Sequence, residues 1–280
     1  MVVKRHIMRR SLFSWMLVLP LLLLSTSARA ESFDYSTLDK LLKGFVNPQG
    51  YVDYDALAKT GEPTLNEYLQ QIANAKISKW TYEEQVSFWI NAYNAVMIRE
   101  VLNNPLMHRV DQRFELFDAP HPIAEGQYSL NDIQHRILRG QTNSKTHEGP
   151  IEGVTVDHFD PRIHFALCNG ALSSPKLQNT AYTAENLIKL LNLNAIRFAN
   201  HPKHVRVEKG RLHVSILMKW YRKDFEAYGG SAKFLAKLQD TQRRKDATKI
   251  KRLLLRSYSH AIFDYDWTTN DVSNASKDIN

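Results

Sequence analysis

The chain has 280 residues, of which 43% are hydrophobic and 24% charged, and it contains a single cysteine. These values are typical of a globular protein, and they exclude wholesale disorder, a collagen-like chain and a fold built on intramolecular disulfides. The formal net charge of +8 would by itself favour a polyanionic partner such as nucleic acid.

Residues 1–30 have the three parts of a secretory signal peptide. Basic residues cluster at 4–10, an apolar run covers 12–24, and Ala-Arg-Ala at 28–30 forms a small-x-small cleavage pattern. The apolar run is shorter than the roughly 20 residues that cross a bilayer. We therefore expect cleavage, no stable membrane span afterwards, and a periplasmic or secreted protein with a single globular domain over 31–280. A retained N-terminal anchor is the alternative.

The leader also explains most of the charge. Five of the 37 basic residues lie in it, and none of the 29 acidic ones does. Its removal leaves 32 basic and 29 acidic residues, a net charge of +3, which is too small to indicate a nucleic-acid partner. One basic cluster remains, and its members are Arg243, Arg244, Lys245, Lys249, Lys251, Arg252 and Arg256. We interpret it as the solvated face of a helix, with a patch for acidic glycans or membrane surfaces as the alternative.

The first half of the mature chain is predicted to be mainly helical. Apolar residues recur at intervals of three and four residues in the stretches 34–45, 64–76 and 82–103. The third stretch begins with a capping box, in which Thr81 and Glu84 each bind a free backbone N–H of the other. A short extended piece is expected at 51–54.

Helices and strands follow each other irregularly in the second half. Ser129 and Asp132 form a second capping box that opens a helix ending near Gly140, and a polar loop with a short strand at 154–156 follows. Further strands are expected at 161–168, 203–208, 211–216 and 260–266, with Lys209-Gly210 as a hairpin turn. Further helices are expected at 184–200, 216–227, 231–239 and 245–256. The predicted fold class is therefore α+β, a mainly helical single domain with a small antiparallel sheet.

Two asparagines stand out in the apolar helix 82–103. Asn91 and Asn94 are three residues apart and so share a face, with Tyr93 between them. A buried amide without a partner costs about 1–3 kcal/mol. These amides therefore either clamp backbone groups of a neighbouring loop or form the polar floor of a cleft, where they would bind an oxyanion or orient a histidine.

The predicted strand at 161–168 carries a second set of candidates. With a period of two, Arg162, His164 and Cys168 share one face. His164 and Cys168 would lie about 13 Å apart on a straight strand, too far for a thiol–imidazole pair. If Cys168 is a nucleophile, its base is therefore His135 or His260. The alternatives for Cys168 are a small buried hydrophobic residue or a free thiol that pairs between molecules.

No metal or other cofactor is predicted. Acidic and histidine side chains do crowd one region, at Asp157, His158, Asp160 and His164, with His147 and Glu148 nearby. Residues of these types can hold a metal ion. They show no fixed ligand spacing such as HExxH, however, and the chain has neither a phosphate-binding glycine loop nor a G-x-S-x-G element.

Several segments of the chain resemble one known family. The most specific are FWINAYN at 88–94 and DPRIHFAL at 160–167, and the others are YVDY at 51–54, DIQHRILR at 132–139, SSP at 173–175 and YDWTTN at 265–270. In this order they are similar to the domain-of-unknown-function family 547, whose members include exported bacterial proteins. The resemblance implies an exported bacterial member and assigns no reaction.

The resemblance also shows where this chain departs from the family pattern. Members usually carry a cysteine directly before the position of Gly170, where this chain has Asn169, and Cys168 stands one residue earlier. Many members carry a second cysteine at the position of Ser174. Gln134 stands where members often have a glutamate beside His135.

Two functions from different classes remain open. The first is a site for a small molecule, peptide or glycan between 82–103 and 162–168, lined by Asn91, Tyr93, Asn94, His135, Arg162 and His164. Such a site would suit a hydrolase or acyl-transfer reaction, with Cys168 as nucleophile and His164 or His135 moving protons. The second is a non-catalytic periplasmic binding or assembly module with a protein partner, in which the Asn, Arg and His residues are structural.

Overall fold

A computed structural model describes residues 32–140, 151–256 and 261–278 of the chain. Helices dominate these residues, and two small sheets accompany them. The predicted α+β class is therefore confirmed. The described residues from Ser32 onward form one compact unit. Within the described ranges, no helix combines the length and the apolar composition that a membrane crossing needs.

The N-terminal part of this unit is helical, as predicted. Its helices are α1 (Ser36–Phe45), α2 (Tyr54–Ala56), a π-helical turn (Leu57–Gly61), α3 (Glu62–Ala73) and α4 (Tyr82–Asn103). The capping box at the start of α4 is present, with Thr81 and Glu84 exchanging hydrogen bonds. From Val86 to Ile98 every residue of α4 is buried. Because α4 is buried all round, it forms the centre of the core rather than one amphipathic layer.

Short elements connect α4 to the second half of the unit. A 3-10 helix (Val110–Phe117) leads into the antiparallel hairpin β1 (His121–Ile123) and β2 (Gly126–Tyr128). The predicted capping box follows: the Asp132 amide donates to Ser129 Oγ at 3.0 Å, and the Asp132 carboxylate accepts from the Ser129 amide at 3.0 Å. It opens a helix whose main part (Asp132–Leu138) is π-helical.

The second half surrounds a mixed sheet. The remaining elements are α5 (Leu187–Asn200), β3 (Val205–Glu208), β4 (Arg211–Ser215), α6 (Leu217–Trp220), a 3-10 helix (Arg222–Tyr228), α7 (Ser231–Lys237), α8 (Ala247–Arg256), β5 (Ala261–Phe263) and a last 3-10 helix (Val272–Asp278). β3 and β4 form the predicted hairpin, with both residues of the Lys209-Gly210 turn at positive φ. β5 joins β4 in parallel, so this sheet is mixed rather than antiparallel.

Three predicted elements were wrong. The predicted strand at 161–168 is a 3-10 helix (Pro161–Phe165), because the Asp160 side chain accepts from the Arg162 amide and Pro161 occupies the first helical position. The strand at 154–156 is a turn, in which the Thr155 amide donates to the Ile151 carbonyl at 3.0 Å. The predicted helix at 216–227 is divided into two at Tyr221.

The segment after β5 ties distant parts of the chain together through single backbone bridges. Thr268 pairs with Arg109, Thr269 with Ala171, and Asp271 with Val52. The Asn270 side chain lies within the same short run and is buried. These bridges bring the loops around Val52 and Ala171 to one place, where the largest cavity described below is found.

Candidate functional site

Asn91 holds the backbone of a loop. Its side-chain Nδ2 donates to the Tyr182 carbonyl at 2.7 Å, and its Oδ1 accepts from the Tyr182 amide at 3.0 Å. The residue is 2% exposed. Both backbone hydrogen-bonding groups of one buried residue are thus satisfied by one amide side chain, which replaces the sheet or helix partner that this loop lacks.

Asn94 makes the matching arrangement one turn later. Its Nδ2 donates to the Ala166 carbonyl at 3.0 Å, and its Oδ1 accepts from the Cys168 amide at 2.9 Å. It is 5% exposed. Tyr93, between the two asparagines, is also buried, and burial raises the pKa of its phenol well above the ordinary value. The two amides are therefore backbone clamps, the arrangement given as the alternative to a polar cleft floor.

Arg162 and His164 do not act together, as the predicted strand would have required. Arg162 forms an ion pair with Asp160 and donates to Asn192 Oδ1 at 2.6 Å. His164 is 3% exposed, and its Nε2 lies 2.7 Å from a carboxylate oxygen of Asp224. The strand geometry that placed these side chains on one face therefore does not apply.

A buried charged network surrounds His164 instead. The Asp224 carboxylate also accepts from Arg139 Nε at 2.7 Å, and Arg139 lies 2.6 Å from His135 Nδ1. The His164 ring stacks on Tyr221 with 3.8 Å between the ring centroids. The structure thus joins His135 to His164 through Arg139 and Asp224. The sequence analysis did not single out this arginine or this aspartate. The available signal was the spacing of His135 and Arg139, which share a helix face.

The titration of this network follows from its burial. Burial lowers the pKa of His164 to about 4, and the Arg139 charge adds to this, while Asp224 opposes it. Burial would raise the pKa of Asp224, but hydrogen bonds from His164 and Arg139 hold it below its ordinary value. At neutral pH we therefore expect a neutral His164 imidazole and an ionised Asp224 carboxylate.

The metal-ligand candidates are dispersed. His158 stacks on the ring of Tyr82 with 3.7 Å between centroids, Asp160 pairs with Arg162, and His164 binds Asp224. Wherever side chains are described, no three His, Cys, Asp or Glu residues come together as a metal site. His147, Glu148 and His260 lie outside the described residues.

A cavity of about 610 Å³ is lined in part by Cys168, whose backbone amide Asn94 holds. The loop 47–51, the segment 171–176 and the end of α5 with the residues after it form its walls. Leu172 and Phe198 supply apolar surface, and Asn270 lies beside the thiol, with its Nδ2 3.5 Å from Cys168 Sγ. A cavity of this size is typical of small-molecule sites.

The charged side chains that line this cavity are all cationic among the described residues: Lys176, Arg197 and Lys203. His201 and His204 line it as well. Lys176 donates to the Pro48 carbonyl, and Arg197 donates to Gln178 Oε1 at 3.1 Å. Burial and the nearby Arg197 charge lower the pKa of Lys176. Two cations are thus held near each other by neutral acceptors.

A chain of amides connects Arg197 to the clamp on α4. Gln178 donates to Asn194 Oδ1, and Asn194 donates to the Tyr182 hydroxyl at 2.6 Å. The backbone of Tyr182 is the one that Asn91 holds. The guanidinium is therefore positioned through hydrogen bonds that begin inside the core, although its own side chain is exposed.

The Cys168 thiol and the His204 imidazole in this cavity are both electrically neutral. Cys168 is 4% exposed, and burial raises the pKa of its thiol. The Gly170 backbone and the Ser174 side chain oppose this rise only in part. Burial lowers the pKa of His204 well below the ordinary value, with Lys203 and His201 adding to the effect. The cavity therefore offers an unionised thiol and a neutral imidazole to any ligand.

Comparison with known proteins gives a match to one family model. Residues 77–199 match the family model described as "Protein of unknown function, DUF547". The match confirms the resemblance over these residues, which include α4, both clamps and Arg197. No curated protein and no solved structure matches the chain.

Two of the three departures that the resemblance indicated lie together in space. Asn169 and Ser174 bind each other, at positions where the resemblance implies cysteines in many members. The backbone amide of Asn169 donates to Ser174 Oγ at 3.0 Å, and the Ser174 hydroxyl donates to Asn169 Oδ1. The Tyr265 hydroxyl also donates to Asn169 Oδ1 at 3.0 Å. This chain thus places an amide–hydroxyl pair at those positions.

Sequence reasoning did not single out Lys176, Arg197 or His204. Lys176 follows the SSP segment directly, so its position next to a family motif was a usable signal. Arg197 lies near the end of a predicted helix, where a basic residue is ordinary. Nothing in the sequence distinguishes Arg197 from an ordinary surface arginine, because its hydrogen-bond partner Gln178 is 19 residues away along the chain.

The first prediction concerns the Asn94 clamp. Replacing Asn94 by Ala leaves the buried Ala166 carbonyl and Cys168 amide without partners, and we expect a loss of about 3 kcal/mol in the free energy of unfolding. Urea denaturation measures it. Asn103→Ala, at the exposed last residue of the same helix, is the control and should change the value by no more than about 0.5 kcal/mol. Equal small losses for both variants would contradict the clamp.

The second prediction concerns acid stability. The pKa of His164 is about 4 in the folded protein and about 6.5 in an unfolded chain. Between these values only the unfolded chain takes up the proton, so stability is full above about pH 6.5 and falls with pH down to about 4, by up to about 3 kcal/mol. Urea denaturation at several pH values should show a flatter dependence for His164→Asn. An unchanged slope would show that His164 does not carry the effect.

Proposed function

We propose that this protein is an exported, non-catalytic binding protein whose cavity beside Cys168 holds a small organic anion, bound through a carboxylate or phosphate group. The observation that carries the proposal is the charge of the cavity lining. Its charged side chains are cationic at every described position, and no aspartate or glutamate is among the described residues that line it. An anion is the ligand that such a lining attracts.

The electrostatics of Lys176 and Arg197 support this choice of ligand. Each repels the other, which contributes to the lowered pKa of Lys176. Their hydrogen-bond acceptors, the Pro48 carbonyl and the Gln178 amide oxygen, are neutral. An anion between the two cations would relieve the repulsion, and the arginine would present a planar fork that matches a carboxylate or phosphate.

The shape of the cavity also fits a small ligand. Its volume of about 610 Å³ lies in the range of small-molecule sites. Phe198 and Leu172 would contact an apolar part of the ligand, while Asn194 and Asn270 make part of the lining polar. Gly50 has φ +94°, and a Cβ there would come within 2.5 Å of Lys176 Cγ, so the loop 47–51 can approach the lysine this closely only with glycine.

The leader is what supports export. Its basic start, short apolar run and Ala-Arg-Ala sequence fit a cleaved signal peptide. With the leader removed, the protein acts in the periplasm or outside the cell. The histidine and arginine groups near α4 then serve the fold, since each already has a partner inside the protein.

A second candidate is thiol-dependent acyl transfer in the same cavity. Cys168 and His204 both line it, so His204, rather than His135 or His164, would be the base. It ranks second because burial keeps the thiol protonated at neutral pH.

The third prediction tests anion binding directly. Citrate and inorganic phosphate are titrated into the purified protein by calorimetry, with glucose as the uncharged probe. We expect at least one of the two anions to bind and glucose not to bind. Arg197→Gln and Lys176→Gln should each weaken binding about tenfold, because each removes a charge-assisted hydrogen bond.

Lys189→Gln is the matched control, because it removes one exposed charge from the same helix outside the cavity. It should leave the affinity unchanged. Equal losses of affinity in Lys189→Gln and Arg197→Gln would show non-specific attraction and overturn the proposal. Failure of both citrate and phosphate to bind would also overturn it. Cys168→Ser should bind normally; if it loses binding, the thiol takes part and the second candidate gains.

A further inference from the structure

A second hollow, of about 510 Å³, has the opposite charge. It lies between the segment 32–39, the first turn of α4 and the residues 180–186 that precede α5. Asp34, Asp39, Glu84 and Glu185 line it, and no described lysine, arginine or histidine does. The proposed function leaves this hollow unused.

Glu84 carries the argument, because one of its oxygens lacks a partner. Its Oε2 completes the capping box by accepting from the Thr81 amide at 2.8 Å. Its Oε1 is buried and accepts no hydrogen bond from any described residue, although Glu84 is only 8% exposed. A buried polar atom without a partner is unusual in a folded protein and needs a reason. A donor that enters the hollow would provide it.

The other walls of the hollow favour an organic cation. Phe33 and Tyr35 supply aromatic rings whose centroids are 4.9 Å apart, and Phe33 is fixed edge-on against Phe88 and Trp80. Burial, together with the charges of Glu84 and Glu185, raises the pKa of Tyr35, so its ring stays neutral. Aromatic faces beside carboxylates attract ammonium groups through cation–π and charge–charge interactions.

The acidic groups are poorly arranged for a metal ion. Asp39 is already occupied, since it pairs with Lys43 and accepts from Thr180 Oγ1 at 2.7 Å and from the Ala181 amide at 2.9 Å. Asp34 binds the amide and hydroxyl of Ser36. No group of three potential ligands forms within the described part of the chain, whereas calcium takes about 6–8 oxygen ligands.

From these observations we infer that the hollow beside Glu84 is a binding site for a primary ammonium group, with Glu84 as its hydrogen-bond acceptor and Phe33 and Tyr35 as its aromatic walls. The ammonium donates to the Glu84 carboxylate and to nearby acceptors, and the attached carbon chain contacts the rings. This site is independent of the anion cavity and of its ligand.

The fourth prediction is tested with butylammonium chloride as the probe. It is titrated into the ¹⁵N-labelled protein at constant ionic strength, with 1-butanol as the uncharged probe and calcium chloride in a separate titration. Saturable amide shifts are expected for butylammonium at Ser36, Ala181 and Thr183, which line the hollow, and none for butanol. Glu84→Gln should weaken binding about tenfold.

The controls separate the site from the fold. Gln can replace Glu in a capping box, so Glu84→Gln should keep α4 intact, which circular dichroism checks. Glu83→Gln removes the same charge from the adjacent position, outside the hollow, and should bind normally. Asp34→Asn, which keeps the cap on Ser36, should weaken binding more modestly.

Three results would overturn the inference. They are equal binding of 1-butanol, equal weakening by Glu83→Gln, and no saturable shift with butylammonium. Saturable calcium binding that Glu84→Gln abolishes would assign the hollow to a metal ion instead. Failure here would leave the anion proposal intact, because the anion titration uses a different cavity and different variants.

Discussion

The amide groups of Asn91 and Asn94 project from a helix that is buried all round, and each binds both the donor and the acceptor of a neighbouring backbone segment. The segments that they hold, at 166–168 and at 182, belong to neither sheet. Buried backbone outside regular structure must find its hydrogen bonds elsewhere. The two amides supply them, and both irregular segments are consequently fixed to α4, the longest helix among the described residues.

Both candidate binding sites depend on these two clamps. Asn94 holds the amide of Cys168, which lines the cationic cavity. Asn91 holds the backbone of Tyr182, and the neighbouring residues Ala181 and Thr183 line the acidic hollow. The Tyr182 hydroxyl also begins the chain of amides that leads to Arg197. One helix face thus positions two sites of opposite charge. The buried ion pair of Arg139 and Asp224 plays a different part, since it fixes His164 within the core.

Local signals made much of this fold predictable. Each of these signals determines the structure of only a few neighbouring residues. They are the capping boxes at Thr81 and Ser129, the helical spacing of apolar residues and the Lys209-Gly210 turn. The error at 161–168 arose because the sequence there alternates like a strand, while Asp160 and Pro161 start a helical turn. The asparagines could be recognised as polar groups in an apolar helix. Arg197 and Lys176 could not be recognised as a pair, because only tertiary packing brings them together.

Hydrogen exchange of two amides tests the clamps most directly. In native protein, the Cys168 and Tyr182 amides belong to irregular segments, yet each donates to a buried asparagine. If the clamps fix these segments, both amides exchange only when the whole protein unfolds, with protection that falls with urea as steeply as global stability does. Exchange of either amide through local opening, fast and independent of urea, would contradict the account.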